Sequence, residues 1–251
     1  MSIDKEYIKN KIPDGCALNV YHVIDSTSSE ARRRALDGTD APAVFIAESQ
    51  SAGRGRTGKS FYSPMGTGVY LSLMIDGKEL SDDGVLLTCA AAVAVRRAIL
   101  KVTGVCADIK WVNDLYVNGK KVCGILSESV FCNGQRYVII GVGINLSTTE
   151  FPYELADIAA SLGTEETKRE PLCVECINEL LRVCRHTCKD SLMEEYKKHS
   201  CVLGKSIAYT ENGEWREGYA EDINENGHLS VRDRNGNIHL LSSGEISLRV
   251  K

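Results

Sequence analysis

No apolar run in this 251-residue chain approaches the ~20 residues of a bilayer-spanning helix, which excludes a helical membrane protein. The N-terminal stretch MSIDKEYIKNKIPDG lacks the apolar core of a secretion signal, so the expected compartment is the cytoplasm. Excess positive charge is missing as well. A net charge of −4 argues against a general nucleic-acid binder, although a local basic patch could still meet a polyanion. Internal repeats and low-complexity tracts are absent too, so the 43% hydrophobic content is available for one large core, or a core plus a small module.

What the chain does have is cysteine, ten residues of it. Cys173-x-x-Cys176 followed by Cys184 and Cys188 resembles a set of four zinc ligands. Yet Leu172, Cys173, Cys176, Ile177, Leu180, Leu181, Cys184, Cys188 and Leu192 recur at helical spacing, so they read as one apolar stripe. Cys173 and Cys188 on one straight helix would stand roughly 22 Å apart at ~1.5 Å per residue, too far to share a metal. These cysteines are expected in the core of a helix-packed layer, and without an export signal they are expected reduced.

Residues 53–60, GRGRTGKS, satisfy the phosphate-loop pattern G-x-x-x-x-G-K-[ST]. That pattern works only where a buried strand feeds a helix N-terminus, because the loop amides and the helix dipole must converge on phosphate. The upstream half fits, with the strand-like Ala43-Val44-Phe45-Ile46-Ala47. The downstream half does not: Phe61-Tyr62-Ser63-Pro64-Met65-Gly66-Thr67-Gly68 breaks any helix before its second turn. The segment is therefore a loop between two strands. Gly53, Gly55 and Gly58 interleaved with Arg54, Arg56 and Lys59 describe either a solvated basic loop or a mobile one that closes over an anion.

The rest of the layout follows from periodicity and turn residues. Residues 1–19 read as a short polar lead. Strands are expected at 20–24, 43–47 and 68–75, then at 109–117, 121–130 and 136–146. The Val117-Asn118-Gly119-Lys120 turn joins 109–117 and 121–130 as a hairpin. Thr27-Ser28-Ser29-Glu30 reads as a capping box for a helix that stops near Gly38. Further helices are expected from about Asp82 to Val102 and, mainly, from Glu170 to His199. From about Val202, short strands punctuated by Asn212-Gly213, Asn226-Gly227 and Asn235-Gly236 predict a small barrel of hairpins. The fold class is α+β, with helices on a mixed or antiparallel sheet and a small all-β C-terminal module.

Four segments carry polar residues that a core does not need: 23–31, 48–64, 109–128 and the VGVGINL stretch that ends at Leu146. Lys110 stands in an apolar strand just before Trp111 and Asn113-Asp114. Alone it would read as a solvated strand-end lysine. Beside the Arg/Gly loop and a glycine-rich strand end, it makes a carboxylate-plus-phosphate site competitive.

These segments together resemble the biotin–protein ligases, or biotin–[acetyl-CoA-carboxylase] ligases. The matching pieces are Asp25-Ser26-Thr27, Gln50 ahead of GRGRxG, SPxGxGxYLSL, KWxND, GKKxxGIL, GxGIN and SGEISL, spread over about residues 20–250. The resemblance makes the phosphate-loop match coincidental. It implies a catalytic domain over residues 1–201, of the class II aminoacyl-tRNA-synthetase-like type, and an SH3-like β-barrel over 202–251. It implies that biotin reacts with Mg-ATP to give biotinyl-5′-AMP, then passes to one lysine of the biotin carboxyl carrier domain of a biotin-dependent carboxylase.

Residue roles follow from the same resemblance. Lys110 would bridge the biotin carboxylate and the α-phosphate, with Arg54 and Arg56 as further catalytic cations. Ser26, Thr27 and Gln50 would take the ureido ring of biotin, and the backbone of Gly53, Arg54, Gly55 and Arg56 would line the ligand. Phe61 would cover adenine, with Asn113, Lys121 and Asn145 on the nucleotide side. No protein-held metal is expected; Mg2+ comes with ATP. Three positions depart from the family pattern: Ser28 where Asn is common, Thr57 at the loop's third basic position, and Val112 in place of Pro. Lipoate or octanoate ligases and transferases are the related alternative. A biotin-responsive repressor would add a helix-turn-helix module of roughly 50–60 residues, for which the region before the first strand is expected to have no room. Hence no specific DNA or membrane partner is expected, while a homodimer remains compatible with the resemblance.

Overall fold

The computed structural model describes residues 2–80, 84–185, 188–211, 213–244 and 246–248. Its larger sheet has seven strands in the order β1-β2-β3-β7-β6-β5-β4. Strands β1 (Ala17–Ile24) and β2 (Ala43–Gln50) run parallel, joined through helix α2 (Thr27–Leu36). The remaining pairings are antiparallel, through β3 (Gly68–Asp76), β4 (Asp108–Lys110), β5 (Asp114–Val117), β6 (Lys120–Cys132) and β7 (Gln135–Asn145), so the sheet is mixed.

Strand alternation sorts the core into two layers. Val44 and Ile46 of β2 join a large cluster with α3 (Gly84–Thr103), α4 (Arg169–Arg185) and α5 (Lys189–Lys198). Their neighbours Ala43 and Phe45 face the other way, onto Ala31 and Ala35 of α2. The sheet is thus covered on both faces, which explains why β2 reads as a continuous apolar run.

Several sequence expectations need correction. Residues 1–19 are not merely a polar lead: they contain α1 (Lys5–Lys9) and the start of β1. Asp4 caps α1 by accepting from the Tyr7 N–H at 2.9 Å, and Ile8 is fully buried. One turn of helix is too short to show a period. The cap of α2 is Ser26, whose Oγ accepts from Ser29 N at 3.4 Å, and not Thr27. Glu30 does not close a capping box; its carboxylate binds Arg33 and Arg34. The expected strand 109–117 is two strands, β4 and β5, paired with Ile109 opposite Leu115 around a turn at Trp111–Asn113. The peptide between Trp111 and Val112 is cis.

The start expected for α3 at Asp82 lies outside the described residues, as do His186, Thr187, Asn212 and Glu245. Cys173, Cys176 and Cys184 are core residues, and burial pushes the Cys173 and Cys184 thiols up to about 12. Cys188 leaves the stripe: the helix ends at Arg185, and Cys188 is an exposed residue ahead of α5.

The C-terminal sheet is antiparallel, in the order β11-β10-β9-β8-β12. Its strands are β8 (Ser206–Glu211), β9 (Glu214–Ile223), β10 (Leu229–Arg232), β11 (Ile238–Leu241) and β12 (Ile246–Leu248). Gly227 and Gly236 take the positive φ of 79° and 87° that their turns need. The sheet is docked on the larger unit: Ile207, Tyr209 and Val231 share the core of α3, and Trp111 Nε1 donates to Gly227 O at 2.8 Å. Among the described residues, no helix is long and apolar enough to cross a membrane.

Candidate active site

A cavity of about 390 Å³ opens where the 51–67 loop, the N-terminus of α2, the β4–β5 hairpin and the inner strands β6 and β7 meet. Every site residue expected from the sequence lines it except Gly53. Gly53 lies just behind the wall. A Cβ there would stand 2.4 Å from Phe61 O and 2.8 Å from Ser63 Oγ, so only glycine lets the loop fold back on itself.

One end of the cavity is a knot of hydroxyls. Because Ser26 caps α2, Thr27 is free to face inward. Its N–H donates to Gln50 Oε1 at 2.8 Å, and its Oγ1 lies 3.2 Å from the same oxygen. Gln50 Nε2 donates to Ser63 Oγ at 2.8 Å. Below them the fully buried Ser72 of β3 lies 2.8 Å from Thr27 Oγ1 and 3.0 Å from Ser28 Oγ. This end can bind a neutral polar group with both donors and acceptors.

The basic loop is folded, not open. Gly55 N donates to Lys59 O at 2.7 Å, Phe61 N to Gly53 O at 2.9 Å, and Arg54 bridges to Ser60. It lies between β2 and β3 and starts no α-helix, so it is not a phosphate loop. Arg54 forms a bidentate ion pair with Glu128 of β6, at 2.6 and 2.8 Å. Arg56 Nη1 donates to Asn113 Oδ1 at 3.0 Å.

The β4–β5 hairpin supplies the next wall. Lys110 Nζ donates to the Tyr116 hydroxyl at 3.1 Å, with its ammonium 4.9 Å from the ring centroid. Burial pushes the Tyr116 phenol up to about 12, so it is a neutral partner at physiological pH. Asn113 is fixed through Nδ2 to Ile125 O at 2.8 Å, and Lys121 pairs with Asp114 at 2.7 Å. Val112 in place of proline leaves Lys110 in register opposite Asp114.

The floor consists of glycines from segments that the sequence marks as part of the site, though without a role for each residue. Gly141 and Gly143 are two apart on one face of β7, and Gly143 pairs with Gly124 of β6. A Cβ on Gly141 would meet Ser28 Oγ at 2.4 Å; one on Gly143 would meet the Phe61 ring at 2.5 Å. The cleft therefore runs along β7 from the hydroxyl end to Phe61. GxGIN and the glycine of GKKxxGIL held the signal, since strand glycines mark close approach. Ser72 and Tyr116 gave no such sign. At the far end Asn145 donates to Ala160 O at 3.0 Å, while its Oδ1 is buried without a protein partner, an acceptor suited to a ligand hydroxyl or amine. Leu155 and Ile158, from the segment after β7, and Gly244 and Ile246, from the C-terminal sheet, complete the rim.

The electrostatics of the cavity oppose those of the whole chain. Arg54, Arg56, Lys59, Lys110 and Lys121 line it; among the described residues the one lining carboxylate is Asp114, and Glu128 behind the wall pairs with Arg54, in a protein of net charge −4. Such a site concentrates anions. Among the described residues, no group of three or more His, Cys, Asp or Glu side chains could hold a metal ion.

Comparison with known proteins bears on the family and the fold. The model of the biotin/lipoate A/B protein ligase family matches residues 20–145. A biotin–[acetyl-CoA-carboxylase] ligase of Mycobacterium tuberculosis is 30% identical over 243 residues, covering 91% of this chain and 88% of that protein. The bifunctional ligase/repressor BirA of Bacillus subtilis is 41% identical over 147 residues, 57% of this chain; the match spans about half, 45%, of that relative's length. Among solved structures, the biotin protein ligase of Aquifex aeolicus in complex with biotin and ATP superposes with a TM-score of 0.77 at 25% identity, covering 94% of this chain and 99% of that one. The Leishmania major enzyme in complex with biotinyl-5-AMP gives 0.62 at 25% identity, covering 92% and 100%. With half the chain matched by the family model and nearly all of it aligned to the mycobacterial ligase, the chain belongs to the biotin/lipoate A/B protein ligase family.

Proposed function

We propose that the chain is a biotin–protein ligase that activates biotin with Mg-ATP and transfers it to a lysine of a biotin carboxyl carrier domain. The observation that carries this reading is one cleft with a neutral hydroxyl-and-amide end and a cationic middle. Biotin has that polarity: an uncharged ureido ring at one end and a carboxylate at the other. Ser26, Thr27 and Gln50 take the ring, and the valeryl chain lies over Gly141 toward Lys110.

In the first step a biotin carboxylate oxygen attacks the α-phosphorus. The bond to the bridging β-phosphate oxygen breaks, and pyrophosphate leaves. Two anions must meet, so cations beside both reacting groups lower the barrier. Lys110, held on the Tyr116 hydroxyl, and Arg56, aligned by Asn113, supply that charge. Gly53 and Gly55 bring loop backbone close to the ligand. Phe61 packs on adenine above the Gly124–Gly143 pair, and Lys121 and Asn145 contact the nucleotide. Mg2+ enters with the triphosphate as part of the substrate. In the second step the carrier lysine's ε-amine attacks the acyl carbon, the anhydride C–O bond breaks, AMP leaves, and an amide forms with loss of a proton. The folded loop and the rim of residues 155–159 shield the anhydride from water.

Residues 1–201 form the catalytic domain in this reading. Residues 202–251 form an SH3-like module that closes the rim through Gly244 and Ile246. Biotin-dependent exchange of labelled pyrophosphate into ATP tests the first step. Exchange should require biotin and be weak with lipoate. Faster exchange with lipoate or octanoate would move the chain to the other branch of its family.

A further inference from the structure

The two arginines of the loop face different partners. Arg56 donates to a neutral amide oxygen, whereas Arg54 is met by a carboxylate, with Nη2 2.6 Å from Glu128 Oε1 and Nη1 2.8 Å from Oε2. Glu128 follows Gly124 and Leu126 on the same face of β6, the row that runs beside the cleft. It is not itself part of the lining. A carboxylate at the edge of a site for anions raises the cost of bringing an anion in, unless it has a partner and a task. Its partner cancels it: the pair carries no net charge, so Arg54 adds little field at the reaction centre.

Its task is visible in how the loop is attached. Backbone bonds within residues 53–61 fix the loop's shape but not its position over the sheet. Position comes from side chains that cross to β4–β7: the Arg54–Glu128 fork, the Arg56–Asn113 bond, and the Phe61 ring over Gly143. The fork is the one attachment of these three in which both groups are charged, and its planar geometry fixes direction as well as distance. It also sits where the β6 row passes the hydroxyl end of the cleft, because Leu126 pairs with Gly141, the glycine against Ser28.

We propose that Glu128 is a positioning residue: by clamping Arg54 it seats the loop over the biotin end of the cleft, and Arg54 acts through this clamp and not as a cation presented to substrate. The substrate named here rests on the biotin reading; the clamp itself does not. The two roles for Arg54 predict opposite signs for one isosteric change. Under the clamp, Glu128→Gln loosens the loop and weakens biotin binding. If Arg54 instead faces the substrate, Glu128→Gln removes a competing anion, and biotin binds as well or better.

The experiment measures biotin KM and the single-turnover rate of biotinyl-AMP formation at saturating biotin for Glu128→Gln, Arg54→Gln and the double variant. Trypsin cleavage at the loop without any ligand is followed in parallel. The clamp predicts a roughly three- to tenfold rise in KM in each single variant, about what a partly buried bidentate pair supplies. It predicts a turnover rate within threefold of wild type, a double variant no worse than either single one, and faster tryptic cleavage at Lys59 in all three. Unchanged or tighter biotin binding by Glu128→Gln would overturn it, as would a double variant whose loss is the product of the two. The cleavage readout needs no substrate, so it still judges the clamp if wild-type protein forms no biotinyl-AMP.

Discussion

Replacing Lys110 by alanine separates catalysis from packing, because the structure gives each a different size. In the folded protein the ammonium donates to Tyr116 OH at 3.1 Å and lies 4.9 Å from its ring centroid. A net hydrogen bond contributes about 1 kcal/mol and a partly exposed cation–π contact about 0.5–1 kcal/mol, so Lys110→Ala should cost about 1–2 kcal/mol of stability. Removing a cation aimed at developing charge in a closed site costs about 3–4 kcal/mol of barrier, roughly two to three orders of magnitude in rate. Rapid-quench measurement of biotinyl-AMP in a single turnover reads the rate, and urea unfolding of the same preparation reads the stability. The rate should fall at least a hundredfold while biotin affinity falls far less. Lys110→Arg should keep the fold without restoring the rate, because a planar fork cannot replace a compact ammonium between two oxygens. A Lys110→Ala rate within threefold of wild type would refute the reasoning and return Lys110 to a structural role beside Tyr116.

Other outcomes follow from the same geometry. A methyl at Gly143 meets the Phe61 ring at 2.5 Å and one at Gly141 meets Ser28 Oγ at 2.4 Å, so the two alanine variants should split the cleft. From an overpacking cost of about 1–3 kcal/mol, Gly143→Ala should raise the KM for ATP roughly fivefold or more, and Gly141→Ala the KM for biotin; equal effects on both substrates would contradict the assignment of the two ends. Trp111→Phe leaves the buried Gly227 carbonyl without its 2.8 Å donor and should cost about 1–3 kcal/mol in chemical denaturation, with no loss taken as evidence against the docking of the C-terminal sheet. His239 lies between Asp233 and Glu211, whose carboxylates raise its pKa above 6.5. The raised value belongs to the folded state, so the stabilisation is complete below pH 6.5 and is lost as pH climbs through the folded pKa. The Tm advantage of wild type over His239→Gln should therefore shrink between pH 6 and 8, and an advantage that grows would reverse the sign of the coupling.

How much of this could be read from the sequence depends on the range of the cause. Strands β2, β3, β6 and β7 were legible because their alternation or apolar runs are local, and the Asn118-Gly119 turn set the register of β5 against β6, but the turn that splits 109–117 into β4 and β5 was not legible. The GRGRTGKS segment was legible as a non-phosphate loop, since Pro64 and Gly66 forbid the helix it would need. Helix α1 was not legible, being a single turn anchored through Ile8. The cap of α2 was misplaced by one residue, because Ser26 and Thr27 are both competent caps and only Gln50, 23 positions on from Thr27, decides which one turns inward. For the site, Lys110, Asn113 and the loop arginines stood out as polar residues in the wrong surroundings. Ser72, Tyr116 and Glu128 fall inside segments that stood out, but their roles come from partners 44, 6 and 74 positions away, which no local pattern shows. The loop's glycines suggested mobility, and the contacts that shape it, its own backbone bonds and the Arg54–Glu128 fork to β6, carry no local signature.

The most direct test of the central claim is to incubate the protein with biotin, Mg-ATP and an isolated biotin carboxyl carrier domain, then weigh the carrier by intact-mass spectrometry and map the modified residue. The account predicts one biotinyl group per carrier, on one lysine, dependent on ATP and with one pyrophosphate released per group transferred. A carrier of unchanged mass, or one acylated by lipoate or octanoate in preference to biotin, would contradict it.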